Sequence, residues 1–114
     1  MLPRLMLMAK VKKLILVTAE HLPQHKDWVR LAEELSKELG VELEVRKEDY
    51  VLVNECGEQD EFGMAWLPQL LAIMDDGSCK LVLSKLPMDE KTLQADLSKA
   101  KEQALEAIRR LEAA

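Results

Sequence analysis

Residues 62–71 read Phe62-Gly63-Met64-Ala65-Trp66-Leu67-Pro68-Gln69-Leu70-Leu71. A glycine follows an aromatic residue, a proline stands five positions on, and an apolar run begins directly behind it. Proline has a fixed φ and no amide hydrogen, so it suits the mouth of a strand and not its interior. The run from Gln69 to Met74 (QLLAIM) is therefore a predicted strand that Pro68 opens. It is followed by Asp75-Asp76-Gly77-Ser78 and by a second strand-like run over residues 79–85 (CKLVLSK). Asp-Gly between two apolar runs is a strong local hairpin signal.

Upstream, residues 13–19 (KLILVTA) form a continuous apolar run, which suits a strand buried on both faces. Pro23 and Asp27 signal a helix start. Trp28, Leu31, Ala32, Leu35 and Leu39 follow at helical spacing, and Gly40 stands where a helix ends. Residues 41–46 (VELEVR) alternate and predict a second strand, parallel to the first through a right-handed crossover. Residues 47–62 leave two readings open, a third strand over 50–54 or, preferred, an irregular or helical segment leading to Gly63. The tail, residues 89–114, carries Leu93, Leu97, Ala100, Ala104, Leu105, Ile108 and Leu111 along one stripe and predicts a long amphipathic helix. The expected architecture is a single α/β domain over residues 13–114: a βαβ unit, a crossing segment, a β-hairpin and a C-terminal helix. Its sheet would be four-stranded and mixed, flanked by helices. Residues 1–12 are read as an N-terminal extension, and Met8 as a second plausible start.

Composition narrows the function classes. The 114 residues are 48% hydrophobic and 32% charged, the balance of a folded domain. A formal net charge of −5 disfavours nucleic acid or an anionic membrane as partner, since both demand clustered cations. No apolar run approaches the roughly 18 residues of a membrane span. The N-terminal stretch, interrupted by Lys10, Lys12 and Lys13, lacks the pattern of a signal peptide. Two cysteines, Cys56 and Cys79, are too few for a disulfide framework or a cysteine-rich zinc site. They are read as buried thiols, which fits a reducing, cytoplasmic setting. Scarce Asn with abundant Lys and Glu hints at a heat-adapted source.

The stretch 62–71, taken with the hairpin and final helix behind it, resembles the thioredoxin family. There an aromatic-Gly pair precedes an apolar-Pro pair, and a buried strand follows. The resemblance runs from about residue 13 to the end. It implies a thioredoxin-like fold, a cis peptide at Pro68, and a backbone at Leu67 left open for contact. In that family a Cys-x-x-Cys sits between the first strand and its helix, where the helix N-terminus activates the thiol. The corresponding stretch, residues 19–27 (AEHLPQHKD), has no cysteine. Neither Val17 nor Thr18 supplies the buried acid of active members. The family's catalytic residues are therefore not carried over, and no catalytic residue is assigned.

His21 and His25 are the only histidines, four apart in that same loop. The spacing would suit a metal pair on a helix, but Pro23 between them spoils the common face, and two ligands do not make a site. No metal or cofactor is expected. The expected function is a redox-inactive, thioredoxin-like module that binds a protein or peptide through Trp66, Leu67, Pro68, His21 and His25. The alternative is a thiol oxidoreductase or peroxidase using Cys56 alone. A third reading is a homodimer. A helix of about 26 residues would reach about 39 Å, twice the height of a six-residue strand, leaving Leu105, Ile108 and Leu111 to pair with a second copy. Alternatively, Leu2, Leu5 and Leu7 of the extension would cover that stripe.

Overall fold

The centre of the sheet follows from the most apolar segment of the chain. In the computed structural model, which describes residues 9–113, β1 (Val11–Thr18) has every residue from Leu14 to Thr18 buried. A strand with both faces covered must lie inside a sheet and under helices. The strand order is β2-β1-β3-β4, with β2 (Glu42–Lys47), β3 (Gln69–Met74) and β4 (Cys79–Leu83). β1 pairs parallel with β2 and antiparallel with β3, and β3 pairs antiparallel with β4. The chain is thus a mixed α/β domain with a four-stranded mixed sheet. β1 opens at Val11, so two residues assigned to the extension belong to the sheet. Ala9 and Lys10 precede the strand, and residues 1–8 of that extension, with Leu2, Leu5 and Leu7, lie outside the described residues.

Alternation along the strands feeds two cores. Leu14 and Leu16 face one side with Leu70 and Ala72, where α1 (His25–Leu39) and the C-terminal helix pack. Ile15, Val17 and Leu71 face the other, against Val53 of α2 (Tyr50–Cys56). The ambiguous middle segment is therefore helical over Tyr50–Cys56 and irregular from Gly57 to Gly63, with no third strand at 50–54. Asp49 caps it, its carboxylate accepting the Leu52 amide at 3.1 Å. α1 presents Trp28, Leu31, Ala32 and Leu35 to the core and ends at Gly40, whose φ of 67° suits glycine.

The C-terminal helix corrects the expectation. α3 runs Leu97–Ala113, not from residue 89. Asp96 accepts the Lys99 amide at 3.0 Å, the N-cap geometry that starts a helix. Before it, Asp89 gathers the Lys91 and Thr92 amides, and Leu93 sits at φ 60°, outside any helix. Seventeen residues make about 26 Å of helix, the length of the eight-residue β1 at about 3.3 Å per residue. The helix fits its sheet end to end. The Val11 amide donates to the Glu112 carboxylate at 2.9 Å, tying the last turn to the first strand. Ile108 is buried in the chain's own core, with Leu105 and Leu111 packed against it. The protruding half on which the dimer through Leu105, Ile108 and Leu111 rested is absent. Lys101 bridges to Glu38 of α1 at 2.8 Å, and that contact raises its pKa.

Candidate functional site

Three segments converge at the end of the sheet where β1 finishes and β3 begins. Gln24 and Trp28 come from the start of α1. Trp66, Leu67 and Pro68 come from the approach to β3. Ser84, Lys85, Leu86 and Met88 come from the exit of β4. Together they line a groove of about 370 Å³. The Leu67–Pro68 peptide is cis. Among the described residues, neither the amide nor the carbonyl of Leu67 enters a backbone hydrogen bond.

A buried side chain sets the loop that carries Leu67. Gln69, fully buried, donates from Nε2 to the Glu58 carbonyl at 2.8 Å and to the Trp66 carbonyl at 2.9 Å. Its Oε1 accepts the Glu58 amide at 2.8 Å. A buried amide with all these partners is a rigid clamp, because losing one leaves a desolvated polar group unpaired. It fastens both ends of the loop between α2 and β3. Within the loop, Asp60 accepts the Phe62 and Met64 amides at 2.9 Å each, and Gly63 turns the chain at φ 77°. Phe62 is left 82% exposed.

The walls of the groove combine apolar surface with a few polar atoms. The Trp66 indole donates to the Ser84 carbonyl at 2.9 Å, which fixes the ring against the β4 exit. The Lys85 ammonium lies 5.4 Å from the centre of that ring, within cation–π range. Trp28 is 1% exposed, and its Nε1 is buried with no hydrogen-bond partner. Indole N–H groups usually find an acceptor when buried.

The structure brings Trp66, Leu67 and Pro68 to one groove and leaves the two histidines out of its lining. His21 is exposed. His25 opens α1, and its Nδ1 stands 3.0 Å from the Thr18 hydroxyl, so its ring is tied to the end of β1. With Pro23 between them, one histidine sits in a turn and the other on the helix, and no shared face forms. Among the described residues, no group of three or more His, Cys, Asp or Glu is gathered for a metal ion. No helix there is long and apolar enough to cross a membrane. Lys85, Leu86 and Met88 were not singled out from sequence. They follow β4 by two to five positions, and only the hairpin's place beside β3 brings them to Trp66.

The cysteines overturn their reading as free thiols. Cys56 and Cys79 form a disulfide, with Cα atoms 5.7 Å apart and a sequence separation of 23. α2 crosses the far face of the sheet and ends over the start of β4, so the two cysteines meet beside Leu81 and Ile73. A half-cystine has no thiolate to attack with, so Cys56 is not the lone free nucleophile of the enzymatic alternative. The inference of a reducing compartment also loses its support, because it rested on unpaired thiols. No family model, curated protein or solved structure matches this chain.

Proposed function

We propose that this chain is a thioredoxin-like domain without the redox centre, and that it holds an extended peptide against the backbone of Leu67. The element order supports the fold assignment: a βαβ unit, a crossing helix, a hairpin and a final helix, with strands ordered β2-β1-β3-β4. An apolar-Pro pair stands directly before β3, where the resemblance would have it. The turn between β1 and α1 offers two histidines and no cysteine, so no dithiol exchange runs there.

One observation carries the binding reading. The peptide groups around Leu67 offer an unpaired donor and acceptor at the rim of a groove with two tryptophans in its walls. An open backbone edge beside side-chain pockets is the arrangement that adds a strand from a partner. Main-chain hydrogen bonds hold it, and alternate side chains enter the groove. The test is a titration of the ¹⁵N-labelled protein with a library of short extended peptides. Shifts should concentrate at the Leu67 amide and the two indoles. N-methylating every second peptide residue of a binder should abolish binding in one phase and spare it in the other, because only alternate amides face the edge. Equal tolerance of both phases rules out strand addition.

A further inference from the structure

The groove has a chemical bias beyond its shape. Lys85 is the one charged residue in its lining, which contains no carboxylate. Among the described residues, Lys85 has no carboxylate within ion-pair distance, although the chain carries 21 acids against 16 basic residues. The nearby Glu58 carboxylate is taken by the Ser84 hydroxyl at 2.5 Å and is not part of the wall. The Trp66 ring holds the Lys85 stem and ammonium at the groove. Trp28 forms part of the groove's aromatic lining. Leu67, Pro68 and Leu86 supply apolar surface between them.

Each feature states a requirement. The apolar wall takes a hydrocarbon side chain, and the ammonium needs a negative charge. Resting on the peptide-binding reading above, we propose that the groove selects a peptide in which an apolar side chain lies next to a carboxylate, with Lys85 as the charge-selecting residue. The carboxylate can belong to an Asp or Glu following the apolar residue, or to a free C-terminus on it. An acidic segment would otherwise be repelled by a chain of net charge −5. This selectivity therefore depends on the local placement of one cation.

Both tryptophans of the chain line the groove, so its occupancy reads out directly in indole fluorescence and in two indole N–H signals. Four acetylated peptides of one extended sequence serve as probes: an internal Leu-Asp pair with an amidated end, its Leu-Asn isostere, a free C-terminal Leu, and the Leu amide. At least one carboxylate peptide should bind about threefold or more tighter than its neutral counterpart, the effect of one partly exposed ion pair. Whichever carboxylate peptide gains identifies the source. Lys85→Met keeps the stem on Trp66 and removes the charge. It should abolish the preference, so that each carboxylate peptide binds no tighter than its neutral counterpart. Equal binding of charged and neutral peptides to the parent protein, or a preference that survives Lys85→Met, overturns the charge selection while peptide binding stands. Binding of none of the four, together with an empty library screen, overturns both.

Discussion

Gly57 shows how much one side-chain volume decides. Its φ of −95° suits any residue, so its value lies in space and not in conformational freedom. A Cβ there would lie 2.6 Å from Gln69 Oε1 and 2.8 Å from both Val53 Cγ1 and the Val53 carbonyl oxygen. The carbonyl belongs to α2 and cannot yield cheaply. Gln69 would have to move, and with it the clamp on Glu58 and Trp66. Gly57→Ala should therefore cost about 1–3 kcal/mol, the range for overpacking a filled site, measured from the denaturant midpoint. It should also shift the Trp66 indole signal, since the loop it unseats carries that ring. A variant as stable as the parent, with Trp66 unmoved, would show that the clamp is not rigid. Nothing in residues 57–69 advertised this role. Gln69 looked like the polar first residue of a strand, and only its burial reveals that its amide spans the loop.

The strand β2 lies at a sheet edge, where unpaired backbone invites other chains, and its side chains answer with charge. Glu44 and Arg46 stand two apart and so share a face. Arg46 donates to Glu44 at 2.5 Å and to Asp49 at 3.1 Å, and Lys13 of the neighbouring strand also bonds Glu44. Arg46 first, then Lys13, hold the Glu44 carboxyl down at about 2 from an ordinary 4.5. Because the folded value lies below the unfolded one, the unfolded chain binds more protons between them. The contribution is complete above about pH 4.5 and is lost as pH falls toward 2. Comparing urea midpoints of the parent and Glu44→Gln from pH 7 to pH 2 checks this. The parent should be the more stable at pH 7, and the gap should close between pH 4.5 and pH 2. A gap independent of pH would assign Glu44 a packing role instead. The alternation VELEVR made the strand legible in advance; the partner Lys13 depended on the parallel register, in which Lys13 pairs with Glu42.

Across the domain, the disulfide joins α2 to β4 on the face with the smaller core. Closing a loop of this length removes unfolded-state freedom equivalent to about 3 kcal/mol. The opposite face holds the larger cluster, with Trp28, Leu35, Ala104 and Ile108, and contains neither cysteine. The double variant Cys56→Ser with Cys79→Ser should therefore remain folded and melt about 10–20 °C lower. The parent in a dithiol reductant should show the same drop by calorimetry. An unchanged melting temperature in both experiments would mean that the cross-link adds nothing to stability.

Local patterning announced most of the architecture, because periodicity, turn residues and caps are written in neighbouring positions. The buried run through Leu14 and Leu16, the helical spacing from Trp28 to Leu35, Gly40 and the Asp-Gly hairpin each reveal their element without reference to the rest. The overlong final helix came from the apolar stripe alone: a stripe beginning at Leu93 satisfied helical spacing, while the Asp89 carboxylate and the bridge between Met88 and Ala95 hold those residues in a turn. Pairings between distant residues were decided only when the layers closed. Cys56 met Cys79 because α2 crossed one particular face. Lys85 met Trp66 because the hairpin folded back beside β3. Both contacts are set by which side of the sheet a segment packs on, and a one-dimensional pattern of apolar residues carries no coordinate for that choice.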